Sequence, residues 1–178
     1  MSKSIFLLSA FVALTSTLAC SDDRPRPGEA LTPERVDELC AATCEFGVAC
    51  DPDEFGATMA ECRTECDPIA SLYRADVFED LAACLTEATC SQWLSDRDRC
   101  DHVVDETTPT PAGESYLASC AAVVARCSGP DSEPCEPIMG RILNDQILGE
   151  FTACFNADSC DEMERCSLAV TRKYNLDD

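Results

Sequence analysis

The chain has 178 residues, a formal net charge of −21, 46% hydrophobic content, only 6% aromatic content and 15 cysteines. So acidic a chain argues against nucleic acid and anionic membrane surfaces as partners. No CxxC pair is present and the only histidine is His102, so the sulfur does not read as a metal site. Cysteine at this density instead predicts a disulfide framework in an oxidising compartment, standing in for an aromatic core.

Residues 1–19 open with Lys3, continue as an uncharged apolar stretch from Ile5 to Leu18 and end at Ala19. This is short of the ~20 apolar residues of a membrane span and reads as a cleavable export signal. Removing it leaves the chain one unit more acidic, because Lys3 is its only charged residue. Removing Cys20 from the cysteine count leaves an even number that can pair completely. Thr17-Leu18-Ala19-Cys20 resembles the lipobox of bacterial lipoproteins, with Thr17 where leucine is commonest. The resemblance implies that Cys20 is lipidated, that the chain is cleaved before it, and that acyl chains anchor the protein to the membrane. Ser21 after the cysteine then favours the outer membrane. Taken whole, the chain resembles the cysteine-rich lipoproteins of myxobacteria, a likeness resting on the lipobox and the cysteine style.

Residues 20–31 hold charge, prolines and a glycine without apolar periodicity, and read as a tether. Residues 32–100 form a first cysteine-rich unit, 101–115 a linker centred on Thr107-Thr108-Pro109-Thr110-Pro111, 116–167 a second unit, and 168–178 a tail. The two units match. Leu81-Ala82-Ala83-Cys84-Leu85 through Cys90 aligns with Phe151-Thr152-Ala153-Cys154-Phe155 through Cys160. Cys66-Asp67-Pro68-Ile69 aligns with Cys135-Glu136-Pro137-Ile138, and Cys40 with Cys120.

The periodicity is helical. Phe55, Met59, Cys62 and Cys66 share one face, as do Val77, Leu81, Cys84 and Ala88. Ile138, Ile142, Leu143 and Ile147, then Phe151, Cys154 and Phe155, form a similar stripe. Thr32-Pro33-Glu34 marks a helix start, and capping boxes are written at Asp51–Glu54, Thr89–Gln92 and Ser159–Glu162. The expectation is an all-α fold of two tandem disulfide-stapled helical-hairpin repeats, with three to four short helices each.

The repeat constrains the pairing. Unit two has Val124 where unit one has Cys44, and Asp131 where unit one has Cys62, so the two missing cysteines are each other's partner: Cys44–Cys62. Helical spacing puts Cys40 one turn from Cys44 and Cys66 one turn from Cys62, giving Cys40–Cys66 and, in unit two, Cys120–Cys135. A third helix running back from Ile69 brings the Cys84–Cys90 region to the hairpin tip at Cys50. That favours Cys50–Cys90 with Cys84–Cys100, and Cys127–Cys160 with Cys154–Cys166. Cys84–Cys90 with Cys50–Cys100 is the alternative. Residues 40–66 resemble the twin CX3C hairpin of CHCH-type proteins, in architecture alone.

No chemical motif stands out. His102 follows Cys100-Asp101, but the helix and calcium loop of the secreted phospholipases are missing, so no catalytic residue is assigned. The acids Asp51, Asp53, Glu54, Asp96 and Asp98 read as a solvated coat. Asn156–Asp161 lacks the glycine and terminal glutamate of a calcium loop. Gly47, Gly56, Gly129 and Gly140 read as turn or packing positions, and Trp93 with Leu94 as a core plug or a groove wall. No cofactor or metal is expected. The leading expectation is a non-enzymatic module, anchored by lipid, that binds another protein or an envelope component. The alternatives are a carrier of a small apolar ligand and a hydrolase using surface carboxylates.

Overall fold

The computed structural model describes residues 25–127 and 136–176. The described chain is all-α, in ten helices and one 3₁₀ turn. Helix α1 (Pro33–Cys50) begins where the sequence places it: Thr32 Oγ1 accepts from the Arg35 amide at 3.3 Å, with Pro33 at the first position. A short α2 (Pro52–Phe55) follows, and α3 (Met59–Leu72) folds back on α1. Cys40–Cys66 and Cys44–Cys62 clamp this hairpin, with Cα separations of 5.8 and 5.7 Å. Helix α4 (Ala75–Thr86) packs on α1, and α5 (Cys90–Ser95), the 3₁₀ turn (Arg97–Cys100) and α6 (Asp101–Glu106) complete the first half. The second half holds α7 (Pro111–Cys127), α8 (Met139–Ile142), α9 (Asp145–Phe155) and α10 (Cys160–Tyr174).

Cys50–Cys90 and Cys84–Cys100 are bridged in the first half, and Cys127–Cys160 and Cys154–Cys166 in the second. The alternative that pairs Cys84 with Cys90 is not formed. Cys120 is disulfide-bonded; Cys135, its expected partner, lies outside the described residues, as do Cys20, Gly129, Asp131 and the export signal. So many bridges place the fold in an oxidising, extracytoplasmic environment. No described helix is long and apolar enough to cross a membrane.

The halves meet at one antiparallel bridge between Tyr73 and Leu143. The Arg74 amide donates to Ile142 O at 2.8 Å, and the Asn144 amide donates to Leu72 O at 3.0 Å. Tyr73 and Leu143 stand at the same sequence offset as the Leu81 and Phe151 segments, so one pair of matching positions lies face to face at the bridge. Two apolar clusters flank this bridge. One gathers Leu31, Val36, Cys40, Ala70, Ala75 and Phe78. The other joins Val77 of α4 to Tyr116, Ile142, Leu143, Ile147 and Leu148, with Leu81 and Val104 against it. The second cluster therefore draws side chains from both halves.

Several boundaries differ from the sequence reading. The tether is built into the fold before residue 31: Leu31 is buried, Glu29 O accepts from the Ala75 amide at 2.7 Å, and Gly28 O accepts from Asp145 at 2.9 Å. Gly28 holds a φ of +92°, and a Cβ there would strike the Asp145 carboxylate, so glycine is required. The expected linker contains α6 and the start of α7. It is pinned because Arg74, with a side chain 4% exposed, donates to Thr108 O at 2.8 Å and Arg141 O at 3.0 Å, and pairs with Asp76. Thr110 caps α7 through the Gly113 amide and also donates to Asp145 Oδ1 at 2.5 Å. The expected tail is helical to Tyr174, because Val170 is buried and Tyr174 packs on the second cluster. Helix α3 continues through Pro68, and the return helix starts at Ala75, not Ile69. The Phe55–Cys66 stripe breaks at Gly56, whose φ is +89°.

Of the three expected capping boxes, only Thr89–Gln92 is complete. Ser159 Oγ accepts from the Glu162 amide without the return bond. Asp51 makes no cap bond to α2. Its backbone closes α1 by donating to Gly47 O, and its buried carboxylate faces Arg97 Nη2 at 2.6 Å instead.

Candidate ligand pocket

The first half carries a half-open apolar pocket of about 270 Å³ between α1, α3 and α4. Helix α3 contributes Cys62, Glu65, Cys66 and Ile69, so the two hairpin disulfides form part of its wall. Helix α4 contributes Phe78, Leu81, Ala82 and Leu85, and Tyr73 closes one end. The Tyr73 and Phe78 rings meet edge to face at 5.9 Å. Burial pushes the Tyr73 phenol above its ordinary pKa.

Helix α1 contributes Thr43, which is 7% exposed and whose Oγ1 makes no hydrogen bond with any protein group. A threonine inside a helix ordinarily bonds the carbonyl one turn back, as Thr64, Thr86, Thr152 and Thr171 do here. An unpaired buried hydroxyl costs about 1–3 kcal/mol, and the Thr43 oxygen is sealed beneath the pocket lining with essentially no accessible surface.

Phe55 of α2 forms the remaining wall. It lies directly on Gly47, where a Cβ would collide with the ring, and it meets the Trp93 ring edge to face at 5.7 Å. Trp93 is 7% exposed, which makes it a core plug that backs Phe55 rather than a groove wall. Glu54 and Glu65 stand exposed at the mouth. Glu54 has Arg97 Nη1 at 3.8 Å, whereas Glu65 makes no ion pair among the described residues.

In the second half the matching side chains are larger or apolar. Phe151 and Phe155 stand where Leu81 and Leu85 stand in the first half, and Val123 where Thr43 stands. Phe151 and Phe155 stack at 6.1 Å, and Tyr116 packs on both at 6.2 and 5.6 Å. These rings pack on one another where α7 and α9 meet.

The remaining candidates do not assemble into chemistry. His102 sits exposed on α6 with Nδ1 2.8 Å from Arg99 O, and no carboxylate of the described residues hydrogen-bonds its ring. A broad polar hollow beside it holds Asp80, Glu87, Arg99 and Glu106. Asp53, Asp96 and Asp98 are exposed, and Asn156–Asp161 spans the end of α9 and the start of α10. Glu150 is held below the usual carboxylate range by its hydrogen bond from Lys173, the opposite of what a general acid needs. No group of side chains suited to holding a metal occurs among the described residues.

Sequence reasoning did not single out Thr43, Tyr73, Phe78, Ala82 or Leu85 as site residues. The usable signal was the exchange of Leu81, Leu85 and Thr43 for Phe151, Phe155 and Val123 between matching positions. No protein family, curated protein or solved structure matches the chain.

Proposed function

We propose that this protein is an exported lipoprotein, moored to the outer membrane through acylated Cys20, whose helical domain binds a small apolar ligand between α1, α3 and α4. The observation that carries the reading is the pocket itself: 270 Å³, walled by Phe55, Phe78, Leu81 and Leu85 and braced by two disulfides. A cavity of ~150 Å³ lined by aliphatic and aromatic groups takes one benzene, so this one suits a molecule of roughly ten non-hydrogen atoms. A diacyl lipid is far too large. The concave, pre-formed shape favours a small-ligand carrier over the protein- or envelope-binding module that the sequence suggested first. A pocket rigidified by bridges loses little conformational entropy when it is filled.

The test uses the oxidised mature chain carrying Cys20→Ser, which keeps the whole folded part and removes competing acyl groups. Titration with 4-ethylphenol, followed by the fluorescence of Trp93 behind Phe55, should saturate at one site per chain. Leu85→Phe, which copies the second half, should abolish that response while the thermal unfolding transition is retained. Saturable binding unchanged by Leu85→Phe would place the site elsewhere and overturn the reading.

A further inference from the structure

Cys90 is the only exposed cysteine among the described residues, and its partner Cys50 is half-buried. Cys40–Cys66, Cys44–Cys62, Cys84–Cys100 and Cys154–Cys166 each have at least one buried member. Thiol–disulfide exchange requires access to a sulfur, so an external thiol meets Cys50–Cys90 first. This bridge joins the end of α1 to the start of α5, a helix of six residues in which only Trp93 is buried. A helix that short has little stability of its own. Trp93 Nε1 is buried without a hydrogen-bond partner, a cost that release to water would relieve. The segment around α5 is a closed loop, because Cys84 and Cys100 are bridged across a sequence separation of 16. Among the described residues, its polar ties to the hairpin tip run from half-exposed Arg97 to Asp51 and Glu54. We propose that Cys50–Cys90 is a thiol-exchangeable latch on the pocket. A dithiol reductant opens it and frees the α5 loop, while Cys84–Cys100 keeps that loop attached. The effect on the pocket rests on the ligand-binding reading above: Phe55 loses the Trp93 ring that backs it, and the ligand is released.

The exchange balances with the dithiol as the only co-reactant. One reductant thiol, as its thiolate, attacks Cys90 Sγ. The bond to Cys50 breaks, and Cys50 leaves as a thiolate that takes up a proton. The second reductant thiol then attacks the mixed disulfide. Cys90 leaves as a thiol and the reductant ends as a disulfide, so two electrons and two protons pass to the protein. The second half shows what the same bridge does without a latch. Cys127–Cys160 stands at the matching place, but both members are half-buried. It anchors α10, a helix of 15 residues held independently by buried Val170 and by Lys173 and Tyr174 on Glu150. Cutting that bridge leaves α10 in place. Cutting Cys50–Cys90 leaves α5 with one buried side chain to hold it.

The test equilibrates the oxidised Cys20→Ser chain with dithiothreitol buffers of increasing reducing strength, traps free thiols with iodoacetamide and maps them by peptide mass. Cys50 and Cys90 should be alkylated first, with Cys84 and Cys100 still bridged. Over the same range the emission of Trp93, the only tryptophan, should move to longer wavelength as the ring reaches water. The affinity for 4-ethylphenol should fall about fivefold or more, in step with the fraction of chains whose wall is still in place. Cys50→Ala/Cys90→Ala should show the shifted emission and the weak binding without any reductant. Cys127→Ala/Cys160→Ala should keep both responses to dithiothreitol. Reduction of another described bridge before Cys50–Cys90, or its opening with Trp93 emission unchanged, would overturn the latch and leave the ligand-binding reading intact. Failure of the fully oxidised chain to bind 4-ethylphenol would overturn that reading and with it the release of ligand, while the order of alkylation and the Trp93 emission still decide whether the α5 loop opens.

Discussion

The two halves of this molecule share matching sequence segments but carry different side chains at the matched positions. In the second half, Phe151, Phe155 and Tyr116 close on one another, and Val123 presents methyl groups. In the first half, Leu81 and Leu85 are too short to do the same, and Thr43 brings in a hydroxyl with nothing to bond. The first half also carries an additional bridge, Cys44–Cys62, at positions where the second has Val124 and Asp131. A unit that leaves part of its core open gives up packing energy, and an extra covalent clamp beside the opening compensates. The second half is stabilised by its rings and does without that clamp.

The largest effect is therefore expected from Cys44→Ala/Cys62→Ala, which should cost about 2–4 kcal/mol in chemical denaturation. It should also abolish ligand binding, because Cys62 lines the pocket. Cutting the clamp with no loss of stability would break the idea that it supports the open half. Next comes Phe151→Leu/Phe155→Leu, which makes the second half resemble the first. These rings are half-buried, and the expected cost is about 1–2 kcal/mol. A new cavity between α7 and α9, detectable by xenon or benzene binding, should accompany it.

The reverse change, Leu81→Phe/Leu85→Phe, should move stability by less than ~1 kcal/mol in either direction, since it fills space instead of overpacking a closed core. Its signature is loss of binding with the fold intact.

The smallest effects are those of pH. Burial raises the pKa of both the Tyr73 and the Tyr116 phenol. A group whose folded pKa is raised gives stability that is complete below the unfolded value and is lost as pH rises through the folded one. Stability should accordingly decline above the ordinary tyrosine value of ~10, and ultraviolet titration of the native protein should show both phenols ionising late. Glu150 behaves in the opposite sense. Its pKa is lowered by Lys173, so its contribution is present above the usual glutamate range and fades as pH falls through the lowered value. Amide exchange at the C-terminal end of α10 should quicken there.

How much of this was legible in the sequence depended on range. Helix starts at Thr32, Thr89 and Ser159 are local, since the capping group and the amide it accepts from lie three residues apart. The pairing of Cys44 with Cys62 was readable because one half lacks both members. The boundaries around residues 26–31 and 101–110 were not readable, because their order comes from distant partners. Gly28 and Glu29 cap helices that begin at Asp145 and Ala75, and Thr108 is held by Arg74. Asp51 looked like a helix cap and became the buried partner of Arg97, a contact that only the folded hairpin tip creates. The pocket was hidden for a similar reason. Leucine and phenylalanine both read as core, and only the packing shows which of them leaves room.

The most direct check on the contrast between the halves is amide chemical-shift mapping of the oxidised Cys20→Ser chain with 4-ethylphenol. The account predicts saturable shifts at Thr43, Phe55, Ile69, Ala82 and Leu85, with Val123, Phe151 and Phe155 unmoved. Shifts centred on the second half, or none at all at saturating probe, would contradict it.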